Sequence, residues 1–320
     1  MGDKYTDVRA GSRHVNRSHG PRKGCRRPPC HPGGRSMSSP PESLPAPKSN
    51  PPLELAVIGL GNMGGAVLRG LLRARILAPH QVGVCDVLPD RIRSFTDLGC
   101  HSLDPTGVGE APRILLAVKP QLFSEVAKGI GQRAGRRLAI SVMAGLPSDR
   151  IVAALGKDTA VVRTMPNTPA SLGHGVTAIS SGQDTTEDDL AFVRRIFESV
   201  GVVVEVEEPD FHAVTAVSGS GPAWVFRMAE AWTAAGIAEG LSPATARMLV
   251  NQTLFGAATL LQDSESDAAT LRRAVTSRGG TTAAGLDALE RCDFDDVIQE
   301  AISAAADRSR ELGTDDRSGQ

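Results

Sequence analysis

Aromatic side chains are scarce in this chain of 320 residues: they make up 3% of it, with one tyrosine, Tyr5, and two tryptophans. A folded core must therefore be built from Ala, Val, Leu and Ile. Cysteine is sparse too. Cys25, Cys30, Cys85, Cys100 and Cys292 are scattered, which argues against a disulfide framework or a zinc site and makes a reducing cytoplasm the expected compartment. No apolar run approaches the ~18 residues of a membrane span, so no membrane association is expected. Charge of one sign is not in excess: 35 Lys and Arg face 36 Asp and Glu, for a net charge of −1. Such a balance offers no general field for nucleic acid. The length suggests about two domains with ample core.

The first 52 residues lack hydrophobic periodicity and are rich in Arg, Ser, Pro and Gly. They read as a disordered tail. They carry no apolar stretch of the secretory kind, and their many prolines oppose the amphipathic helix of a transit peptide. Cys25, Cys30 and His31 lie close together there, without a fold to make a metal site of them, and no metal is expected anywhere. Met37 is an alternative start that would leave a short leader.

The fold signal begins at Leu53. Leu55-Ala56-Val57-Ile58 reads as a buried strand, and Ile58-Gly59-Leu60-Gly61-Asn62-Met63-Gly64 follows as a complete G-x-G-x-x-G. A helical pattern comes next, with Val67, Leu68, Leu71 and Leu72 on one face. The first glycine permits a tight turn, the second lets backbone approach a pyrophosphate, and the third lets helix pack on strand. The helix N-terminus then faces the phosphates. Asp86 ends the next strand-like run at the spacing of a ribose ligand. Strand, glycines, helix, strand and acid in this order define a dinucleotide site.

Strands are expected at 54–58, 82–86, 113–118, 137–142, 160–164, 175–180 and 202–207. Helices are expected at 62–75, 89–98, 121–133, 147–155 and 186–200. This alternation predicts an α/β fold, a Rossmann-like doubly wound parallel sheet over residues 53–208. Beyond it, residues 209–313 read as all-α, with helices at 209–217, 221–239, 243–263, 267–275, 279–291 and 293–312, and 314–320 read as a flexible C-terminus. Ser242 and Pro243 form a helix start. The helix 243–263 is apolar over most of its surface and has too little of its own chain to cover it, so a subunit interface is expected there.

Two motifs fall where ligands bind at the carboxyl edge of such a sheet. Ala117-Val118-Lys119-Pro120 puts a lysine within reach of a cofactor phosphate or hydroxyl. Ser141-Val142-Met143-Ala144-Gly145 leaves room for a nicotinamide ring, with Met143 and Ala144 as its wall. Arg163-Thr164-Met165-Pro166-Asn167-Thr168-Pro169 reads as a strand followed by a rigid turn that Asn167 can hold, with no catalytic group that must be used. A further segment, Val275-Thr276-Ser277-Arg278-Gly279-Gly280-Thr281-Thr282, leads into a helix and exposes backbone N–H groups at its start. A carboxylate is the expected guest, because the dinucleotide phosphates already have a site.

Together with Val217-Ser218-Gly219-Ser220-Gly221-Pro222-Ala223, these motifs resemble the pyrroline-5-carboxylate reductase family over residues 53–312. The resemblance implies NAD(P)H-dependent reduction of 1-pyrroline-5-carboxylate to L-proline, with NADP(H) as cofactor and NAD(H) as a second donor. It implies that the helical domain is a dimerisation and substrate domain, that the homodimer can assemble into a decamer, and that the active site lies between subunits. By the same resemblance Thr282 hydrogen-bonds the ring nitrogen, while Ser277 and the N–H groups of Gly280, Thr281 and Thr282 take the carboxylate. The lone Tyr5 agrees with this, since a short-chain dehydrogenase would need a catalytic tyrosine elsewhere.

Two departures stand out. The family usually has proline where this chain has Arg278, and commonly asparagine where it has Ala274. Arg278 adds a cation beside the carboxylate site. These departures keep a cofactor-binding regulatory homologue open as a second reading. A third, a 3-hydroxyacid-type dehydrogenase on the same scaffold, would need a lysine that Gly221-Pro222-Ala223-Trp224-Val225-Phe226-Arg227 does not offer.

Overall fold

The computed structural model describes residues 53–314 apart from Gln183, and these residues belong to one compact unit. The expectations for the tail at 1–52 and for 315–320 fall outside the described residues.

The chain runs β1 (Leu55–Ile58), α1 (Asn62–Arg73), β2 (Val82–Cys85), α2 (Pro89–Thr96), β3 (His101–Ser102), α3 (Pro105–Gly109) and β4 (Arg113–Leu116). It continues α4 (Phe123–Ile130), β5 (Arg137–Ser141), α5 (Ser148–Leu155), β6 (Thr159–Pro166), β7 (Gly175–Ser181), α6 (Glu187–Glu198) and β8 (Gly201–Glu205). One eight-stranded sheet results, in the order β3-β2-β1-β4-β5-β6-β7-β8. Successive residues of each strand point to opposite faces, and each face is covered by helices. Leu55, Val57, Leu115 and Ile140 pack with Leu68 and Leu71 of α1 and with Ile196 and Phe197 of α6. Ala56, Ile58, Ile114 and Leu116 pack on the other face with Phe123, Ile130, Ile151 and Leu155.

The expected all-parallel sheet is corrected at one place. β7 runs antiparallel to β6, and β8 is parallel to β7. The cause is the connection. Residues 167–174 hold only a short 3₁₀ turn, Thr168–Leu172, whereas a parallel crossover needs about a dozen residues or more. The short β3 and α3 carry too few residues to show a period, and the sequence reading missed both.

Among the described residues, Arg137 is the largest fully buried side chain. Its guanidinium donates to Leu155 O at 2.6 Å and to Gly109 O and Gly131 O at 3.3 Å. Those carbonyls stand at the C-terminal ends of α5, α3 and α4, where backbone acceptors lack helical partners and a cation suits the helix dipole.

After β8 the chain is helical: α7 (Phe211–Val214), a π-helical turn (Thr215–Gly219), α8 (Gly221–Ala238), α9 (Pro243–Asp263), α10 (Ala268–Ala274), α11 (Thr281–Arg291) and α12 (Phe294–Thr314). The single helix expected at 209–217 is therefore broken. Thr215 Oγ1 and Ser218 Oγ bond back to Phe211 O and Val214 O, a pattern that bends helices. Ser220 N–H then reaches Thr215 O at 2.8 Å, one residue beyond the α-helical partner. Ser242 caps α9 as expected, accepting from Thr245 N–H at 3.2 Å. α8 and α9 pack on each other, and α12 returns against α7 and the π-helical turn. Among the described residues no helix is long and apolar enough to cross a membrane.

Candidate active site

The glycine loop lies between β1 and α1, at the carboxyl edge of the sheet. Gly59 has φ +92°, and a Cβ there would stand 2.4 Å from Ala117 O. At Gly64 a Cβ would stand 2.0 Å from Gly59 O. Neither position accepts a side chain. At Gly61 a Cβ would meet only Arg91 Nη1, at 3.8 Å, so this is the open side of the loop. Gly61 is also the N-cap of α1 and offers no side chain to the first-turn N–H groups. A bare backbone with room beside it fits a pyrophosphate. Ile58, Leu60, Asn62 and Met63 complete the loop around these glycines.

Asp86 follows β2 with its side chain 4% exposed. Its carboxylate accepts from Leu60 N–H at 2.6 Å and from Leu88 N–H at 2.9 Å, and Arg91 Nη1 stands 3.5 Å away. The acid expected to meet a ribose thus also ties the glycine loop to β2. Arg91 lies over the open side of the loop, whereas Arg93 turns to Asp90 on the surface. Ala117 follows β4, and its N–H donates to Ile58 O at 2.9 Å. Val118 and Lys119 come next at the same edge, and Pro120 starts a 3₁₀ turn. Past β5, Met143 is buried and Ala144 is half-buried, so Ala144 rather than the methionine side chain offers the accessible wall.

The second segment lies on the helical part. Gly279 has φ +69°, and Gly280 N–H donates to Ser277 O at 3.1 Å. Gly280 is the N-cap of α11 and supplies no side-chain cap, so the N–H groups of Thr281 and Thr282 remain as helix-end donors. The Gly280 N–H is turned into the loop, unlike its expected role. Ser277, Arg278, Thr281 and Thr282 are exposed in the single chain, and α11 packs on α12. The structure thus gathers the residues expected to bind cofactor at the sheet edge and sets the 277–282 group apart, on the helical segments.

A cluster where the two parts join escaped the sequence reading. Arg163 of β6 is buried, donates to Glu208 Oε1 at 3.0 Å and stacks over the Phe211 ring at 4.5 Å. Burial lowers the Arg163 pKa, and the Glu208 hydrogen bond works against that shift. Burial tends to raise the Glu208 carboxyl, but its bonds to Ser148 and Arg163 outweigh it and hold the pKa below the ordinary carboxylate value. A charged residue inside the run Val161-Val162-Arg163-Thr164 was the available signal. Asn167 does hold its turn: Val176 N–H donates to its Oδ1 at 3.0 Å, and its Nδ2 donates to Ser218 O at 3.2 Å.

A dinucleotide cradle at a Rossmann edge, followed by helices with an open anion-type helix start, defines a nicotinamide-dependent oxidoreductase. The comparisons agree. Residues 208–312 match the family model described as pyrroline-5-carboxylate reductase dimerisation, and residues 54–145 match one described as NADP oxidoreductase, coenzyme F420-dependent. The pyrroline-5-carboxylate reductase of a Synechocystis species is 39% identical over 82% of this chain and 98% of its own length. That of Thermus thermophilus is 38% identical over 82% and 99%. Among solved structures, a pyrroline-5-carboxylate reductase from Coxiella burnetii superposes with a TM-score of 0.75 at 33% identity, covering 81% of this chain and 98% of that one. The Plasmodium falciparum pyrroline carboxylate reductase with NADP bound gives 0.71 at 28% identity, covering 82% and 98%. The chain belongs to the pyrroline-5-carboxylate reductase family.

Proposed function

We propose that this protein reduces 1-pyrroline-5-carboxylate to L-proline with NAD(P)H, the last step of proline biosynthesis. The observation that carries the reading is a pair of features in one chain: the glycine cradle at 59–64 and the uncapped start of α11 at 277–282. The cofactor, when bound, supplies the hydride that reaches the imine carbon. The protein's task is then to hold two reactants, since a cyclic imine that is protonated at nitrogen is already a good electrophile.

Gly59, Gly61 and Gly64 shape the pyrophosphate cradle. Asp86 and Arg91 face the adenosine ribose, and Ala117 to Pro120 with Ala144 flank the nicotinamide half. Thr282 Oγ1 hydrogen-bonds the ring nitrogen, while Ser277, the N–H groups of Thr281 and Thr282, and Arg278 receive the carboxylate. Residues 53–208 form the cofactor domain and 209–313 the dimerisation and substrate domain. The homodimer brings one subunit's sheet edge to the other's α11, and decamers are the proposed higher assembly. The free thiols Cys85, Cys100 and Cys292 suit a cytoplasmic setting.

The test is NAD(P)H oxidation on adding 1-pyrroline-5-carboxylate, with L-proline identified as product. Cofactor binding without turnover would support the regulatory reading instead. Oxidation of a 3-hydroxyacid in place of imine reduction would support the dehydrogenase reading.

A further inference from the structure

The Arg163–Glu208 pair has no part in the chemistry above, yet its place is informative. In a sheet of this order a dinucleotide lies across the carboxyl edge, its adenosine half toward β2 and its nicotinamide half toward β4 and β5. The wall on the nicotinamide side is the loop 142–147, which joins β5 to α5. One end of this loop is held by the sheet itself. Val142 N–H donates to Leu116 O at 3.1 Å, and Thr164 Oγ1 donates to Ser141 O at 3.0 Å.

The rest of the loop is held by chain that comes after β8. Ser148 begins α5, and the residue before it, Pro147, provides no side-chain cap. The Glu208 carboxylate fills that role, with Oε1 accepting from Ser148 N–H at 2.8 Å. In the middle of the loop Gly145, at φ +75°, lies against the C-terminal turn of α12. A Cβ added at Gly313 would stand 2.9 Å from Gly145 O. Arg163 fixes Glu208 in turn. It sits opposite Ser141 in the β5–β6 register, and Phe211 holds its guanidinium plane. An ion pair with its arginine buried and its carboxylate half-buried gains little net stability, because desolvation offsets the attraction, and setting register is a better-attested use of one.

We infer that Arg163 and Glu208 are positioning residues for the nicotinamide half of the cofactor, acting through Ser148 on the loop 142–147, with Gly313 as the second point of support. This rests on the NAD(P)H reading above, but its test does not need the substrate. The test compares the dissociation constants of NADPH and of 2′,5′-ADP, a fragment that keeps the adenosine side and lacks the nicotinamide. Glu208→Gln keeps an acceptor but loses the charge that Arg163 holds. It is expected to weaken NADPH about fivefold or more while leaving 2′,5′-ADP within about twofold. Gly313→Ala, which pushes on the loop without touching the ion pair, is expected to give the same split and decides the matter if Glu208→Gln does not fold. Equal effects on both ligands, or unchanged NADPH binding in Gly313→Ala and in any folded Glu208→Gln protein, would overturn the inference. If the split appears while the wild-type protein leaves 1-pyrroline-5-carboxylate untouched, the positioning role stands and the proposed reaction falls.

Discussion

The sheet and the helices that follow it are built from similar aliphatic residues but solve the problem of burial differently. Leu55, Val57, Leu115 and Ile140 are all 0% exposed, so the sheet closes its own core within one chain. In α8 no residue is buried, and in α9 only Ala246 and Val250 are. Phe226, Met248 and Phe255 stand 63%, 72% and 64% exposed. Apolar area on this scale is not left to water in a stable protein. The match of 208–312 to a dimerisation family names the cover: a second copy. The helical part is thus one half of a core, and the substrate residues proposed for it would work only when the other half arrives.

The sharpest way to break this contrast is to put a charge on each part. Phe255→Arg is harmless in a lone chain but buries an unpaired guanidinium in the dimer, at a cost of about 4 kcal/mol, or roughly a thousandfold in the dimer dissociation constant. Sedimentation at micromolar concentration should show monomer, with turnover lost alongside it. Leu172→Arg is the control from the sheet part, where the residue is 76% exposed. It should leave assembly and turnover unchanged. A dimeric Phe255→Arg protein would mean that α9 is covered by something else.

The opposite break belongs to the sheet part alone. Arg137→Leu leaves three helix-end carbonyls without their shared donor. Bonds to a charged group are worth more than neutral ones, so a loss of about 3 kcal/mol of stability is expected. It should appear as a lower midpoint in urea with the dimer retained in native buffer. A stability change below about 0.5 kcal/mol would show that water replaces the guanidinium.

What could be read from the sequence follows the same division. The glycine loop, Asp86 and the sheet-edge motifs were legible because local pattern determines them: strand, turn and helix lie within a few residues. The helical part was legible as helices, and the excess apolar surface of α9 as an interface. What escaped depends on contacts distant in the chain. The antiparallel β7 follows from the shortness of 167–174 rather than from any strand pattern. The partner of Arg163 lies forty-five residues on, and the three acceptors of Arg137 come from three different helices. A lone charged residue inside an apolar strand was the trace of Arg163, whereas Arg137 opens its strand beside Arg136 and gave no such trace. The sequence also placed the Gly280 N–H with the substrate, where the structure turns it to Ser277 O.

The proposed chemistry joins the two parts, a contrast that Thr282→Ala should sharpen. If α11 supplies one hydrogen bond to the ring nitrogen, its loss should cost about 2 kcal/mol in the transition state and lower kcat/KM some thirtyfold. NADPH affinity should stay as it was, because the cofactor belongs to the sheet part. Wild-type turnover in this variant would remove Thr282 from the site, and weakened NADPH binding would mean that the two parts do not divide the ligands as proposed.

The smallest effect tests whether the sheet part also sets cofactor choice on its own. A carboxylate at the end of β2 pairs with a free 2′-hydroxyl and repels a 2′-phosphate, which an arginine nearby accommodates. Asp86 and Arg91 supply both tendencies 3.5 Å apart. Asp86→Ser removes the repulsion and frees Arg91, so the ratio of kcat/KM for NADPH over NADH should rise about fivefold, near 1 kcal/mol. The serine also gives up the carboxylate bond to Leu60 N–H, which loosens the glycine loop for both cofactors alike. Part of the change should therefore be a common loss, with the preference superimposed on it. A common loss with no change in ratio would mean that Asp86 serves only to tie the loop, and that the 2′-position is read elsewhere on the sheet edge.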